Sequence, residues 1–241
     1  MNTAYGLPMD LDQFVVQATA SAFARLDHLG GEDAFQAALA AVLGSCEREL
    51  RCAFRPPSRA AVRPPQSAID SLAAKKTPLK LPVEGRDPCA ALAKLDILWH
   101  SPVGLVPIEL KYCSDWRADT NGYQFLKDLH RLERMNAAGQ YGSLSDVRYA
   151  IFLTREALYW RGERPEPKPF WLTEGRRLAA GYWAQYDQKS PDTLWYSYPP
   201  FFLANAYTLS WSDLPDGWKF LLVRVSPQGS EKAVGIIAPV V

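Results

Sequence analysis

Asp96, Glu109 and Lys111 are the residues of this chain whose types and spacing could do chemistry. They lie in Lys94-Leu-Asp-Ile-Leu-Trp-His-Ser-Pro-Val-Gly-Leu-Val-Pro-Ile-Glu-Leu-Lys-Tyr112, an apolar stretch with a turn signal at His100-Ser-Pro-Val-Gly104. The stretch predicts a β-hairpin. Side chains alternate across a strand, so residues two apart share a face, roughly 7 Å apart. Glu109 and Lys111 therefore point one way and Leu110 the other. If His100 pairs with Leu105 across a four-residue loop, Asp96 falls directly opposite Glu109. Opposed Cβ atoms are about 4.5–5.5 Å apart. Two carboxylates at that separation can bridge one Mg²⁺, whose ligand distances are about 2.0–2.1 Å. A slip of one residue would put Asp96 on the other face. Close carboxylates raise one another's pKa, and a divalent cation removes the conflict. Lys111 adds a positive charge that could hold a phosphate, or orient or help deprotonate an attacking water. The competing reading is a hairpin with one wet face and a cross-strand ion pair of little worth. The apolar company of Leu95, Ile97, Leu98, Trp99, Leu105, Val106, Ile108 and Leu110 argues against an exposed hairpin.

In Asp96, twelve intervening residues and then Glu109-Leu110-Lys111, the chain resembles the PD-(D/E)XK nuclease superfamily, over about residues 30–154. The resemblance implies a restriction-endonuclease-like core of helix, three-stranded meander, helix and further strand. It implies Mg²⁺ or Mn²⁺ as cofactor, held by Asp96 and Glu109 and by the carbonyl of Leu110 or Ile108. It also implies a third acid near the first helix. Glu32 matches that placement best, and Glu47 and Glu49 remain open alternatives. Lys111 would position or activate the water. The expected activity is phosphodiester hydrolysis, on DNA rather than RNA, with a catalytically silent nuclease-fold binding module as the alternative. Leu95 stands where the family usually has proline. Pro107 lies within the third strand and removes a ladder donor, which suggests a strand start or edge there.

The elements that must position these residues follow in order. Gly30 to Leu43 has the helical period, with Phe35, Leu39, Val42 and Leu43 on one stripe and Glu32 and Asp33 in the first turn. Glu49 to Phe54 reads as a first strand. Asn121 to Met135 reads as a second helix, with Phe125, Leu129, Leu132 and Met135 on its stripe. On the same helix Lys127 and Arg131, four apart, share a face that could meet a phosphate backbone or the site's carboxylates. Gln124 and Asp128 make a second such pair. Val147 to Thr154 reads as a buried strand. The whole predicts a mixed α+β fold, a central mixed sheet flanked by helices. An added N-terminal helix over Leu11–Leu29 and an aromatic-rich C-terminal β extension complete it. One domain over 1–241 is expected, with its core at 30–154 and the extension at 155–241.

In the extension, strands are expected over Ala206–Trp211, Lys219–Val225 and Val234–Ala238. Its aromatics could stack on unpaired bases or form a homodimer surface, but core packing is the expectation for most of them. The segment from Arg55 to Pro88 is rich in proline, serine and lysine and reads as a loop or partly ordered excursion beside the hairpin. From Arg48 to Lys94 there are ten basic residues against four acidic ones, a local +6 in a chain of net charge +1. Lys75 and Lys76 in that segment are candidate nucleic-acid contacts. The four cysteines form no Cys-x-x-Cys pair, and no glycine-rich phosphate loop is present, which argues against zinc and ATP chemistry. No signal peptide or membrane run is apparent, so a cytoplasmic location without membrane contact is expected.

Overall fold

A computed structural model describes residues 10–26, 30–53, 66–74, 92–114, 118–135, 144–161, 170–185 and 200–228. The elements are α1 (Leu11–Phe23), α2 (Glu32–Leu43), β1 (Cys46–Ala53), α3 (Gln66–Ala74), β2 (Leu92–Ser101), β3 (Gly104–Cys113), α4 (Ala118–Arg134), β4 (Arg148–Thr154) and α5 (Leu158–Arg161). Six short or late strands follow: β5 (Arg177–Leu178), β6 (Tyr182–Ala184), β7 (Phe201–Leu203), β8 (Tyr207–Thr208), β9 (Trp211–Asp213) and β10 (Lys219–Val225). The fold is mixed α+β around a six-stranded mixed sheet of order β1-β2-β3-β4-β10-β9. β1, β2 and β3 form an antiparallel meander, β3 and β4 run parallel, and β10 returns antiparallel to β4. No helix among the described residues is long and apolar enough to cross a membrane.

Each face of the sheet carries a layer. α1 and α2 bury Val15, Phe23, Phe35 and Leu39 against Ile97, Val106, Ile108, Leu110, Tyr149, Ile151 and Leu153. α4 buries Tyr123, Phe125, Leu129 and Leu132 on the opposite face, against Ala150, Phe152, Leu221 and Val223. The alternation along β4 divides its residues between the two layers, so every position of that strand is buried. A strand buried on both faces reads as an unbroken apolar run, as Tyr149 to Leu153 does. The even-numbered residues of β3 face α1 and α2, which turns Glu109 and Lys111 toward α4.

The hairpin register matches the one that places Asp96 across from Glu109. Ile97 pairs with Ile108, Trp99 with Val106 and His100 with Leu105. The loop is shorter than expected, because Ser101 also pairs with Gly104, leaving two loop residues. Gly104 takes φ 113, which a residue with a Cβ rarely adopts. Pro107 sits one residue before the β3–β4 ladder begins at Ile108 and Tyr149, so its missing N–H falls where no ladder bond is due.

Within the Arg55–Pro88 excursion, α3 occupies Gln66–Ala74. Two expectations are corrected. Ala206–Trp211 is not one strand: Tyr207–Thr208 pairs with β5, and Trp211–Asp213 crosses to β10. The first strand begins at Cys46, earlier than Glu49. Lys75, Lys76 and the Val234–Ala238 strand lie outside the described residues.

Candidate metal and phosphate site

The site forms where β2 and β3 part. Their ladder ends at Ile97 and Ile108, and β1 also skips Asp96, pairing Arg48 with Ile97 and then Leu50 with Leu95. Across that skip, Glu49 has φ 57. A left-handed backbone at a residue with a long side chain is uncommon and costs of order 1–3 kcal/mol. Leu95 and Ile97, two apart, pack in opposite layers, so β2 turns over at Asp96.

The backbone groups released by this break are taken up by side chains. The Asp96 carbonyl accepts from Gln36 Nε2 at 2.6 Å, and the same amide donates to Glu49 at 3.1 Å. Asp96 Oδ2 accepts the Leu110 N–H at 2.7 Å. Glu32 Oε2 accepts the Tyr112 N–H at 2.9 Å and the Lys111 ammonium at 3.4 Å. The opening edge of β3 is thus stitched by two acids, one from β2 and one from the first turn of α2. A strand residue sends its N–H and C=O to the same side. The Leu110 carbonyl therefore also points toward the opening.

Asp96 and Glu109 meet there, close enough that each carboxyl group acts on the other's ionisation. Two carboxylates that close need a shared proton or a cation between them. Glu109 is only 3% exposed, and its Oε1 accepts no hydrogen bond. The Arg131 Nη2 lies 3.3 Å from that oxygen, without hydrogen-bond alignment. Arg131 is anchored elsewhere, by Asp128 Oδ1 at 3.0 Å and by the Lys94 carbonyl at 3.1 Å.

The charges are tuned by one another. Burial pushes Glu109 well above the carboxylate range; Arg131 opposes this, and Asp128 and Asp96 add to it. Burial also raises Asp96, partly offset by the Leu110 N–H. Asp128 is raised by burial against the pull of Arg131, Lys111 and Lys127. Burial pulls Lys111 down, but Asp128, Glu32 and Asp96 outweigh it and hold the ammonium above its ordinary value. Lys127 is lowered, chiefly by burial. Four acids (Glu32, Asp96, Glu109, Asp128) thus face three bases (Lys111, Lys127, Arg131).

Of the three alternatives for the third acid, Glu32 adjoins the site. Glu47 turns away to His100 at 2.9 Å, and Glu49 is held by Lys94 and Gln36. Among the described residues, no three His, Cys, Asp or Glu side chains form a metal-holding group. The three-carboxylate set of Asp96, Glu109 and Glu32 is therefore not assembled here: Asp96 and Glu109 pair, while Glu32 is turned to Lys111 and Tyr112. Arg131, expected at a phosphate backbone or at the carboxylates, is found at the carboxylates.

Two participants are not singled out by the sequence. Gln36 lies one turn after Glu32 on the same helix face, a spacing that points to it. Asp128, four residues after Gln124, is 6% exposed and bound to Arg131.

The donor set suits a hard divalent ion. Such ions take oxygen ligands, and Mg²⁺ needs only one or two protein carboxylates beside substrate phosphate and water. A buried carboxylate oxygen that accepts no hydrogen bond, two neighbouring carboxyl groups and a main-chain carbonyl on the same side of β3 supply that chemistry. No family model, curated protein or solved structure matches this chain.

Proposed function

We propose that this chain is a divalent-metal-dependent nuclease, with a restriction-endonuclease-like core and DNA as its substrate. The observation that carries the reading is the close approach of Asp96 and Glu109 at the break between β2 and β3, with Lys111 beside it. Asp96, Glu109 and the Leu110 carbonyl would hold Mg²⁺ or Mn²⁺. The bound ion would supply charge neutralisation at the phosphorus and an acidified water. Lys111, steadied by Glu32, orients that water or the scissile phosphate. Gln36 holds β2 in its turned-over course and so places Asp96. The raised charge state of Lys111 favours an electrostatic role over proton abstraction.

The test is cleavage of linear and supercoiled DNA, and of RNA, with Mg²⁺, Mn²⁺ or chelator. Cleavage should require the divalent ion and fall about 10²-fold or more in Asp96→Ala, Glu109→Ala and Lys111→Ala, the scale of losing a principal electrostatic stabiliser. Undiminished cleavage in all three purified variants would refute the proposal. A silent binding module is favoured by one observation, the guanidinium already placed at Glu109. That reading predicts nucleic-acid binding with neither turnover nor divalent dependence.

A further inference from the structure

Arg131 is a charged group at the site to which the nuclease mechanism gives no task. Its guanidinium is bound unequally. Nη1 donates to Asp128 at 3.0 Å and Nη2 to the Lys94 carbonyl at 3.1 Å, both aligned hydrogen bonds. Toward Glu109 it makes only an unaligned ion pair at 3.3 Å, and the Glu109 oxygen it approaches accepts no hydrogen bond. The guanidinium is therefore fixed by α4 and β2 and leans on β3. The carboxylate it leans on is the one a divalent ion needs.

Resting on the nuclease reading, we infer that Arg131 is the resident counter-cation of the metal site. It neutralises Glu109 in the metal-free protein and yields that carboxylate to the divalent ion. Still held by Asp128 and Lys94, it then presents Nη2 to a non-bridging oxygen of the substrate phosphate. A buried carboxylate without a positive neighbour is costly, which explains the resting contact. A guanidinium and a divalent ion at one oxygen repel each other, so they compete for it. Leaving Glu109 breaks no aligned hydrogen bond, and two aligned bonds keep the side chain in place. The planar fork of arginine is suited to a phosphate once it is released.

Titration calorimetry with Mn²⁺ on the wild type, Arg131→Met and Arg131→Gln tests this. Removing the competitor should tighten Mn²⁺ binding about tenfold or more, while cleavage at saturating Mn²⁺ slows by about tenfold or more. Damage to the site would weaken Mn²⁺ binding, so tightening separates competition from a structural role. Near-ultraviolet circular dichroism checks the fold. Arg131→Gln keeps a donor for the Lys94 carbonyl and serves if the methionine variant does not fold. Equal or weaker Mn²⁺ binding in a folded variant, with wild-type binding intact, overturns the inference and leaves the nuclease reading standing. Tighter binding with unchanged cleavage overturns the phosphate contact. No Mn²⁺ binding in any of the three proteins overturns the inference and the nuclease reading together.

Discussion

At the scale of single residues, Asp96 serves the fold and, in the proposed function, the chemistry. One oxygen completes the β3 edge at the Leu110 N–H, and the carboxyl also meets Glu109. These roles separate by substitution. Asp96→Asn keeps an acceptor for Leu110, and its amide can donate to Glu109, which relieves the conflict between acids. It should stabilise the metal-free protein by about 1 kcal/mol, raising Tm by about 2–4 °C while abolishing cleavage. Asp96→Ala should lower Tm by a similar amount, because the Leu110 N–H loses its partner. Scanning calorimetry in chelator distinguishes the two; a lower Tm for the asparagine variant would contradict a frustrated carboxyl pair. The turn sets the hairpin register, so Glu109 and Lys111 on one face and Asp96 on the facing strand were legible; that β2 and β3 part before Asp96 and Glu109 pair was not. Gln36 and Asp128 were not legible as partners. Their contacts cross from helix to sheet, and no local period encodes which polar residue of a helix meets a strand that bends. The skip at Glu49 was equally hidden, since nothing in Arg48-Glu49-Leu50 announces a positive φ.

At the scale of elements, α4 joins the site to the C-terminal layer. Asp128 and Arg131 face β3, while His130 and Glu133 face the opposite way. The buried Glu133 carboxylate accepts the N–H groups of Ala204 and Asn205 at 2.7 and 2.8 Å and the Tyr207 hydroxyl at 2.7 Å. His130 Nδ1 lies 2.6 Å from the Phe202 carbonyl, and its ring packs on Phe201. Burial, reinforced by Arg134, pushes the imidazole from 6.5 down to about 3. The unfolded chain therefore binds one more proton than the native state between those values, and stability falls as pH falls through that window. The loss should reach about 2 kcal/mol by pH 5, relative to a His130→Phe variant that cannot titrate. Urea unfolding from pH 7.5 to 4.5 measures it. Parallel pH profiles for the two proteins would contradict a neutral buried His130. The helical stripe of α4 was readable from Phe125, Leu129 and Leu132. The division of its polar residues between two opposed tasks was not, because polarity alone does not separate a buried, paired charge from a solvated one.

At the scale of the whole molecule, two layers clasp the sheet, and the second depends on a close approach. Gly122 on α4 lies so near the Phe170 carbonyl that an added Cβ would stand 1.9 Å from that oxygen. Gly122→Ala should cost about 1–3 kcal/mol, read as a lower urea midpoint with an unchanged slope. An unchanged midpoint would mean that the 170–172 segment does not bind α4 this tightly. The aromatics Phe170, Trp171, Trp183, Phe201, Tyr207 and Trp211 are buried, so they pack the fold and present no face on which bases could stack. The sheet extension through β10 was readable from its apolar run. The small sheets β5–β8 and β6–β7 were not, since strands of two or three residues carry too little alternation to register. What the two layers hold in place is the break at Asp96, and in the proposed function this break receives a divalent ion. Anomalous diffraction from crystals grown with Mn²⁺ tests it directly. The predicted result is a manganese peak between Asp96 and Glu109 on the side of the Leu110 carbonyl, with Arg131 withdrawn from Glu109. Bound Mn²⁺ only elsewhere, with no ion between the two carboxyl groups, would contradict it.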